Sequence, residues 1–290
     1  MTITGKTTVA GIIGWPVSHS LSPVMQNAAF AALGLDWVYV PFPVAPEALP
    51  DAIAGLKEAG VAGFNVTIPH KVAIVPLLDR VDPDAALIGA VNTVVVRGGE
   101  LVGYNTDGVG LVAALAAKLS FDPAGKSVLV LGAGGAARSA VVALAGAGAA
   151  RIDIANRSPE SALALAGLAQ SRRTDTLIGA TALTALSDAG YLACFDLVVN
   201  TTSVGMAGDA FTGFAPETLK PGACIYDMVY VPPVTPLLAG AGALGIPCAN
   251  GLGMLVAQGE AAFRIWTGVS APEGCMELAL TSHRPDPAKP

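Results

Sequence analysis

The stretch GFNVTIPHK, residues 63–71, carries an amide, a hydroxyl and an amine in close succession: Asn65, Thr67 and Lys71. Apolar Phe64, Val66 and Ile68 alternate with the two polar residues, so an extended chain presents Asn65 and Thr67 on one face. Such a group either solvates the end of a strand or grips a small polar molecule, with Lys71 adding a cation.

A second constellation, GAGGAA at 132–137, sets Gly132, Gly134 and Ala137 in the pattern G-x-G-x-x-G/A between an apolar run and a helical pattern. Glycines allow a tight turn and close backbone approach. With Ala133, Gly135 and Ala136 they expose amides and partial positive charge at a helix start, which suits a pyrophosphate. About twenty residues on, RIDIAN ends in Asn156, Arg157 and Ser158. An NAD site would carry an acid there for the ribose 2′-hydroxyl, whereas arginine suits a 2′-phosphate, so NADP is expected and NAD stays open. A surface arginine at a strand end is the plainer alternative. Asp153 falls inside the strand and reads as a solvated or capping residue.

These residues need elements to hold them. VAGII (9–13), PVMQNAAFAALG (23–34), WVYVPF (37–42), PEALPDAIAGLKEAG (46–60) and GFNVT (63–67) follow β-α-β-α-β order, which predicts a mainly parallel sheet covered by helices. LIGAVNTVVV and ELVGYN read as a hairpin about a Gly-Gly turn, and a helix is expected over roughly 108–119. A second α/β series starts at the apolar strand 127–131, with strands expected at 151–156, 196–200 and 223–228 and an amphipathic helix over 251–268. The fold class is α/β: an N-terminal, mainly parallel α/β domain over 1–107, completed by C-terminal helices at about 251–290, and a Rossmann-like dinucleotide-binding domain over 108–250. The proline-rich tail SHRPDPAKP is expected to fray.

Composition narrows the partners. At 290 residues the chain has room for two domains, with 53% hydrophobic and 13% charged residues. A net charge of −6 argues against a nucleic-acid surface, and Gly, Pro or a charge interrupts every apolar run before a membrane span accumulates. No signal-peptide pattern opens the chain, so a cytoplasmic location is expected. Four separated cysteines and three histidines lack metal-ligand spacing, so no metal is expected and the cysteines read as small hydrophobes.

Taken together, SHSLSP (18–23), NVTIPHK (65–71), GAVNT (89–93), YNTDG (104–108), GAGGAAR (132–138), NRS (156–158), NTTSVGM (200–206), YDMVYVPPVTPL (226–237) and GLGMLVAQ (251–258) resemble the shikimate dehydrogenase family, in order along nearly the whole chain. The resemblance implies a two-domain reductase that interconverts 3-dehydroshikimate and shikimate with NADP(H) in a cleft between domains. It implies Lys71 and Asp107 as the catalytic pair, the ammonium supplying a proton to the developing alkoxide and Asp107 holding it. In isolation Lys71 reads as an exposed lysine and Asp107 as a turn or cap residue. Ser20 and Ser22 resemble the family's carboxylate-binding pair, with both hydroxyls aimed alike by an extended segment. Ser22 with Pro23 also reads as a helix cap. Tyr230 is implied at the carboxylate, and Asn65, Thr67, Asn92 and Gln258 at the ring hydroxyls. Gln258 could equally be a surface amide and Tyr230 an interfacial aromatic. Asn200, Thr201, Thr202 and the loop to Met206, with Gly251 and Met254, resemble the cofactor-contacting segments, although methionines commonly fill cores. The second basic residue usual after the arginine is missing, and Glu160 stands near its place. The partner is thus a small-molecule substrate, and the chain is a monomer or homodimer. The neighbouring readings are a quinate or aminoshikimate dehydrogenase, toward which Ser22 leans less, and a non-catalytic ligand sensor.

Overall fold

The computed structural model describes residues 2–170 and 175–283; the tail from residue 284, expected to fray, lies outside them. The chain divides into two compact units, Met1–Thr106 with Gln258–Pro290, and Asp107–Ala257.

The first unit runs β1 (Thr8–Gly14), α1 (Ser22–Ala32), β2 (Trp37–Pro43), α2 (Leu49–Glu58), β3 (Gly63–Val66), α3 (His70–Ala73), β4 (Arg80–Val81), α4 (Pro83–Ile88), β5 (Thr93–Arg97) and β6 (Glu100–Tyr104). Its sheet has the order β2-β1-β3-β5-β6-β4. β1 is parallel to β2 and β3, and β4 to β6, but β3-β5 and β5-β6 are antiparallel. The sheet is therefore mixed, mainly parallel as expected, with β5 running against both of its neighbours. Gly98 and Gly99 both take positive φ (59° and 82°), as a two-residue hairpin turn demands, so β5 and β6 must run antiparallel. The expected strand also starts later than its sequence suggests. Asp82 caps α4 by accepting from Asp84 N–H at 3.0 Å, Pro83 opens it, and Gly89 (φ 70°) ends it, so Leu87 and Ile88 are helical.

Ile13, Phe64, Ile74 and Val94 anchor one core of this unit, each fully buried. Phe30 stacks at 5.3 Å from Trp37 and 5.1 Å from Phe263. Phe263 belongs to α10 (Leu252–Thr267), which with α11 (Cys275–Ser282) returns the chain here. Trp266 Nε1 donates to the Val94 carbonyl at 2.9 Å over Gly63, where a Cβ would strike the indole.

The second unit holds α5 (Asp107–Leu119), β7 (Ser127–Leu131), α6 (Gly135–Gly146), β8 (Arg151–Asn156), α7 (Pro159–Gln170), β9 (Leu177–Ala182), α8 (Ala189–Leu192), β10 (Leu197–Asn200), β11 (Cys224–Asp227), α9 (Pro236–Ala243) and β12 (Cys248–Asn250). All pairings are parallel in the order β12-β11-β10-β7-β8-β9, so strand order reverses between β10 and β7. Along β7, Val128 and Val130 enter the apolar layer with Val141 and Leu144, while Leu129 and Leu131 enter the opposite one with Phe195 and Ile225. Burial on both faces explains the unbroken apolar run of this strand, each side chain contributing about 1.5–3 kcal/mol. Asp153 is not solvated. It is 7% exposed, takes both Arg151 Nε and Nη2 at 2.8 and 2.7 Å, and accepts from the Tyr191 hydroxyl at 2.8 Å. No helix among the described residues is long and apolar enough to cross a membrane.

Candidate active site

In the first unit, the carboxyl ends of β1 and β3 and the loops after them carry the polar residues. Thr67 follows β3, half-buried, its N–H donating to Ile13 O at 3.0 Å. Lys71 sits in α3, and its carbonyl accepts from Val91 N–H at 2.8 Å, tying the lysine's backbone to the segment that holds Asn92. Asn92 is 2% exposed; its Oδ1 accepts from Thr106 N–H at 2.8 Å and Thr93 Oγ1 at 3.0 Å. Asn65 is 4% exposed and its amide is committed internally. Nδ2 donates to Asn92 O and Thr93 Oγ1, both at 3.1 Å, and Oδ1 accepts from Tyr39 at 2.6 Å. Both Asn65 amide protons are therefore taken within the unit, and Oδ1 keeps one lone pair. Gln258, buried at 9% exposure, belongs to the same unit.

Ser20 and Ser22 lie close, but for a reason other than an extended segment. Leu21 between them is helical (φ −86°, ψ −7°) and is itself the N-cap position, with no side chain capping α1. Ser22 is the first helical residue; its N–H donates to Ser20 Oγ at 3.3 Å. The capping reading of Ser22 gives way, since Ser22 lies inside the helix and no side chain caps its start.

In the second unit the loops gather at the carboxyl edge of the parallel sheet, where ligands of such sheets bind beside the reversal of strand order. Gly132 has φ 108°, and a Cβ there would lie 2.7 Å from both Thr201 Oγ1 and Thr202 Cγ2. At Gly134 and Gly135 a Cβ would meet nothing within 4 Å. No side chain caps α6 behind Gly134, so the first amides of a twelve-residue helix are left for a ligand. Glycine backbone, open space and orphan donors together, with Ala133 and Ala136 between them, fit a pyrophosphate. Asn156 Nδ2 holds Ser158 O at 3.1 Å, and Arg157 is exposed beside them without an ion pair among the described residues.

Asn200 differs from its expected role. Fully buried, it donates from Nδ2 to Asp227 Oδ1 at 2.9 Å and Val204 O at 3.0 Å, while Oδ1 accepts from Thr202 N–H at 2.9 Å and Thr202 Oγ1 at 2.7 Å. Its side chain folds the loop and ties it to Asp227. Thr201 is pinned to β7 by its N–H and hydroxyl, donating to Leu131 O at 3.0 and 2.7 Å. Met206 is 58% exposed at the loop end, whereas Met254 packs partly against the core. Gly251 is required by close approach, since a Cβ would collide with the Met228 carbonyl. Tyr230 is half-buried, and burial pushes its phenol up from the ordinary value. Asp107, 9% exposed, opens α5, where a helix start favours an anion.

Several working residues escaped the sequence reading. Thr93, Thr106 and Asp227 lay inside quoted motifs without being singled out. Thr235, which donates to Asp227 Oδ2 at 2.6 Å and caps α9 ahead of Pro236, lay in the same motif as Asp227, whereas Tyr39 carries no local signal.

A mixed α/β unit bearing a polar, amide-and-hydroxyl site, joined in one chain to a parallel sheet with a pyrophosphate-binding loop, defines the class of dinucleotide-dependent dehydrogenases. The shikimate dehydrogenase substrate-binding domain matches residues 12–94, shikimate/quinate 5-dehydrogenase matches 114–205, and the shikimate 5′-dehydrogenase C-terminal domain matches 251–280. A shikimate dehydrogenase (NADP(+)) of Citrifermentans bemidjiense is 68% identical over 290 residues, 100% of both chains. A shikimate 5-dehydrogenase from Listeria monocytogenes in complex with shikimate and NAD superposes with TM-score 0.91 at 36% identity, covering 97% of this chain and 98% of that one. A shikimate dehydrogenase in complex with NADP+ gives 0.88 at 41% identity, covering 97% and 96%. The chain belongs to the shikimate dehydrogenase family.

Proposed function

We propose that this chain catalyses the NADP-dependent, reversible reduction of 3-dehydroshikimate to shikimate in aromatic amino acid biosynthesis. The observation that carries the reading is full-length identity of 68% to a shikimate dehydrogenase (NADP(+)), on a chain whose glycine loop retains the space and donors a pyrophosphate needs. NADPH supplies the hydride when bound. The first unit supplies most of the groups for the acid, and the second takes the nucleotide. Ser20, Ser22 and Tyr230 hold the carboxylate; Thr67, Asn92 and Gln258 hold ring hydroxyls, each of which would cost about 1–3 kcal/mol if buried unpaired. The Lys71 ammonium donates to the carbonyl oxygen of the substrate as negative charge develops there, and Asp107 orients the ammonium. Arg157 receives the 2′-phosphate in the reading, while Glu160 nearby weakens discrimination against NAD. A cytoplasmic location, where a pool of reduced pyridine nucleotide is held, and a monomeric or homodimeric state complete the proposal.

The test is a matrix of kcat/KM for shikimate and quinate against NADP and NAD, with Lys71→Ala in parallel. The shikimate–NADP pair should dominate, and Lys71→Ala should lose about 10²–10⁴-fold in kcat with KM changed little. Near-full turnover by the variant would remove the role of the lysine; turnover only with quinate would replace the substrate.

A further inference from the structure

Asp227 ends β11 in register with Asn200, the last residue of β10, and Asn250, the last of β12. Its side chain is fully buried and receives donors from three segments. Oδ1 accepts from Asn200 Nδ2 at 2.9 Å and from Val229 N–H at 3.0 Å, and Oδ2 accepts from the Thr235 hydroxyl at 2.6 Å. The first of these bonds has a forced direction. Thr202 N–H donates to Asn200 Oδ1 at 2.9 Å, and a backbone N–H only donates, so the amide must face Asp227 with its nitrogen. The other Nδ2 proton goes to Val204 O at 3.0 Å and closes the turn 200–204. Asp227 thus holds the amide that shapes the loop after β10. It also sets the segment after β11: Val229, whose N–H it takes, accepts from Gly251 N–H at 3.2 Å, and Met228 N–H donates to Asn200 O at 3.0 Å. A Cβ at residue 251 would collide with the Met228 carbonyl, so the chain after β12 lies directly on this segment.

Thr235, also fully buried, does two separable things. Its hydroxyl donates to Asp227, and its methyl packs beside the loop after β10, where a Cβ on Gly205 would lie 3.0 Å from Thr235 Cγ2. We infer that Asp227 and Thr235 are positioning residues of the nucleotide site: the carboxyl, steadied by the hydroxyl, fixes the loop from Thr201 to Met206 and the backbone at Gly251 in one shared shape. Both act through their neighbours, since neither has surface to offer a ligand. The inference rests on the reading above, in which the second unit takes NADP and those two segments contact it.

The experiment compares Thr235→Val, which keeps the methyl and removes the hydroxyl, with Thr235→Ser, which does the reverse. Asp227→Ala and the Asp227→Ala, Thr235→Val double variant complete a cycle. The Kd of NADP is read by calorimetry below every melting midpoint, with KM and kcat, and folding is followed by thermal melts. Thr235→Val should weaken NADP about fivefold or more, the change falling on KM for NADP rather than on kcat, and Thr235→Ser should stay within about twofold of the wild type. Asp227→Ala should weaken NADP about tenfold or more, and in that background Thr235→Val should add less than about twofold, because the hydroxyl no longer has a carboxyl to steady. A purely structural role would lower the melting midpoint of Thr235→Val and leave the Kd of the folded protein unchanged, which would overturn the inference. So would a loss in Thr235→Ser equal to that in Thr235→Val, since packing at Gly205 would then be the cause. This comparison stands even where Asp227→Ala does not fold. Additive effects of the two substitutions would likewise show that the hydroxyl does not act through Asp227. Tight NADP binding indifferent to residue 235 sinks this inference alone, whereas a wild type that binds no NADP sinks the nucleotide reading as well.

Discussion

Asp227 is fully buried, yet its carboxylate gathers donors from Asn200, Val229 N–H at 3.0 Å and Thr235. Burial is the larger influence and raises its titration point above the ordinary carboxylate value, with the Thr235, Val229 and Asn200 donors pulling the other way. A carboxyl raised in the folded state favours the protonated form. Its contribution to stability is therefore present in full below the unfolded carboxylate's value, about pH 4, and is lost as pH rises through the folded one. Asp227→Asn keeps the shape and removes the titration. Relative to that variant, the wild type should lose stability across this window and run parallel above it, as urea unfolding at a series of pH values would show. A wild-type advantage that instead grows with pH would mean that the donors outweigh burial.

The loop between β7 and α6 is governed at the level of the element. Two of its glycines do different work, and a methyl group tells them apart. At Gly132, alanine is strained by the backbone (φ 108°) and crowds Thr201 and Thr202, so Gly132→Ala should destabilise the protein by about 1–3 kcal/mol and weaken NADP together. At Gly134 the backbone is extended and the space empty, so Gly134→Ala should leave the thermal midpoint in place and raise KM for NADP alone. A matched pair of thermal melts and NADP titrations separates the two. Equal loss of stability in both variants would contradict the open cradle.

Seen as a whole, the molecule sends its C-terminal segment back to the unit that its N-terminus begins. Phe263, fully buried, packs on Phe30, Trp266 bonds Val94 O, and Gln26 Nε2 donates to Gly259 O at 2.9 Å. Residues 1–106 alone would expose that apolar face. A chain ending after Ala257 should therefore lose the cooperative unfolding of the first unit, while residues 107–257, with a sheet covered from within, should fold. Amide spectra of the two fragments check this, and a well-dispersed spectrum for 1–106 would refute it.

Local chemistry is what one sequence can state. The glycine loop, its strand and helix, Arg157 at the end of β8 and the ordered motifs of the family were all legible, because each depends on neighbours in the chain. The mixed first sheet was half legible: Gly98-Gly99 announced the hairpin, but the edge against which it pairs is set by β3 through contacts distant in sequence. The internal commitment of Asn65 and Asn200 was hidden for the same reason. A polar residue in a motif looks like a ligand contact until its partners, Tyr39 and Asp227, arrive from 26 and 27 residues away. Residue types and their order determined the chemistry this protein can attempt. Only tertiary structure decided which hydroxyls and amides keep a proton to offer, because hydrogen-bond capacity is spent between groups that folding, not chain order, brings within 3 Å.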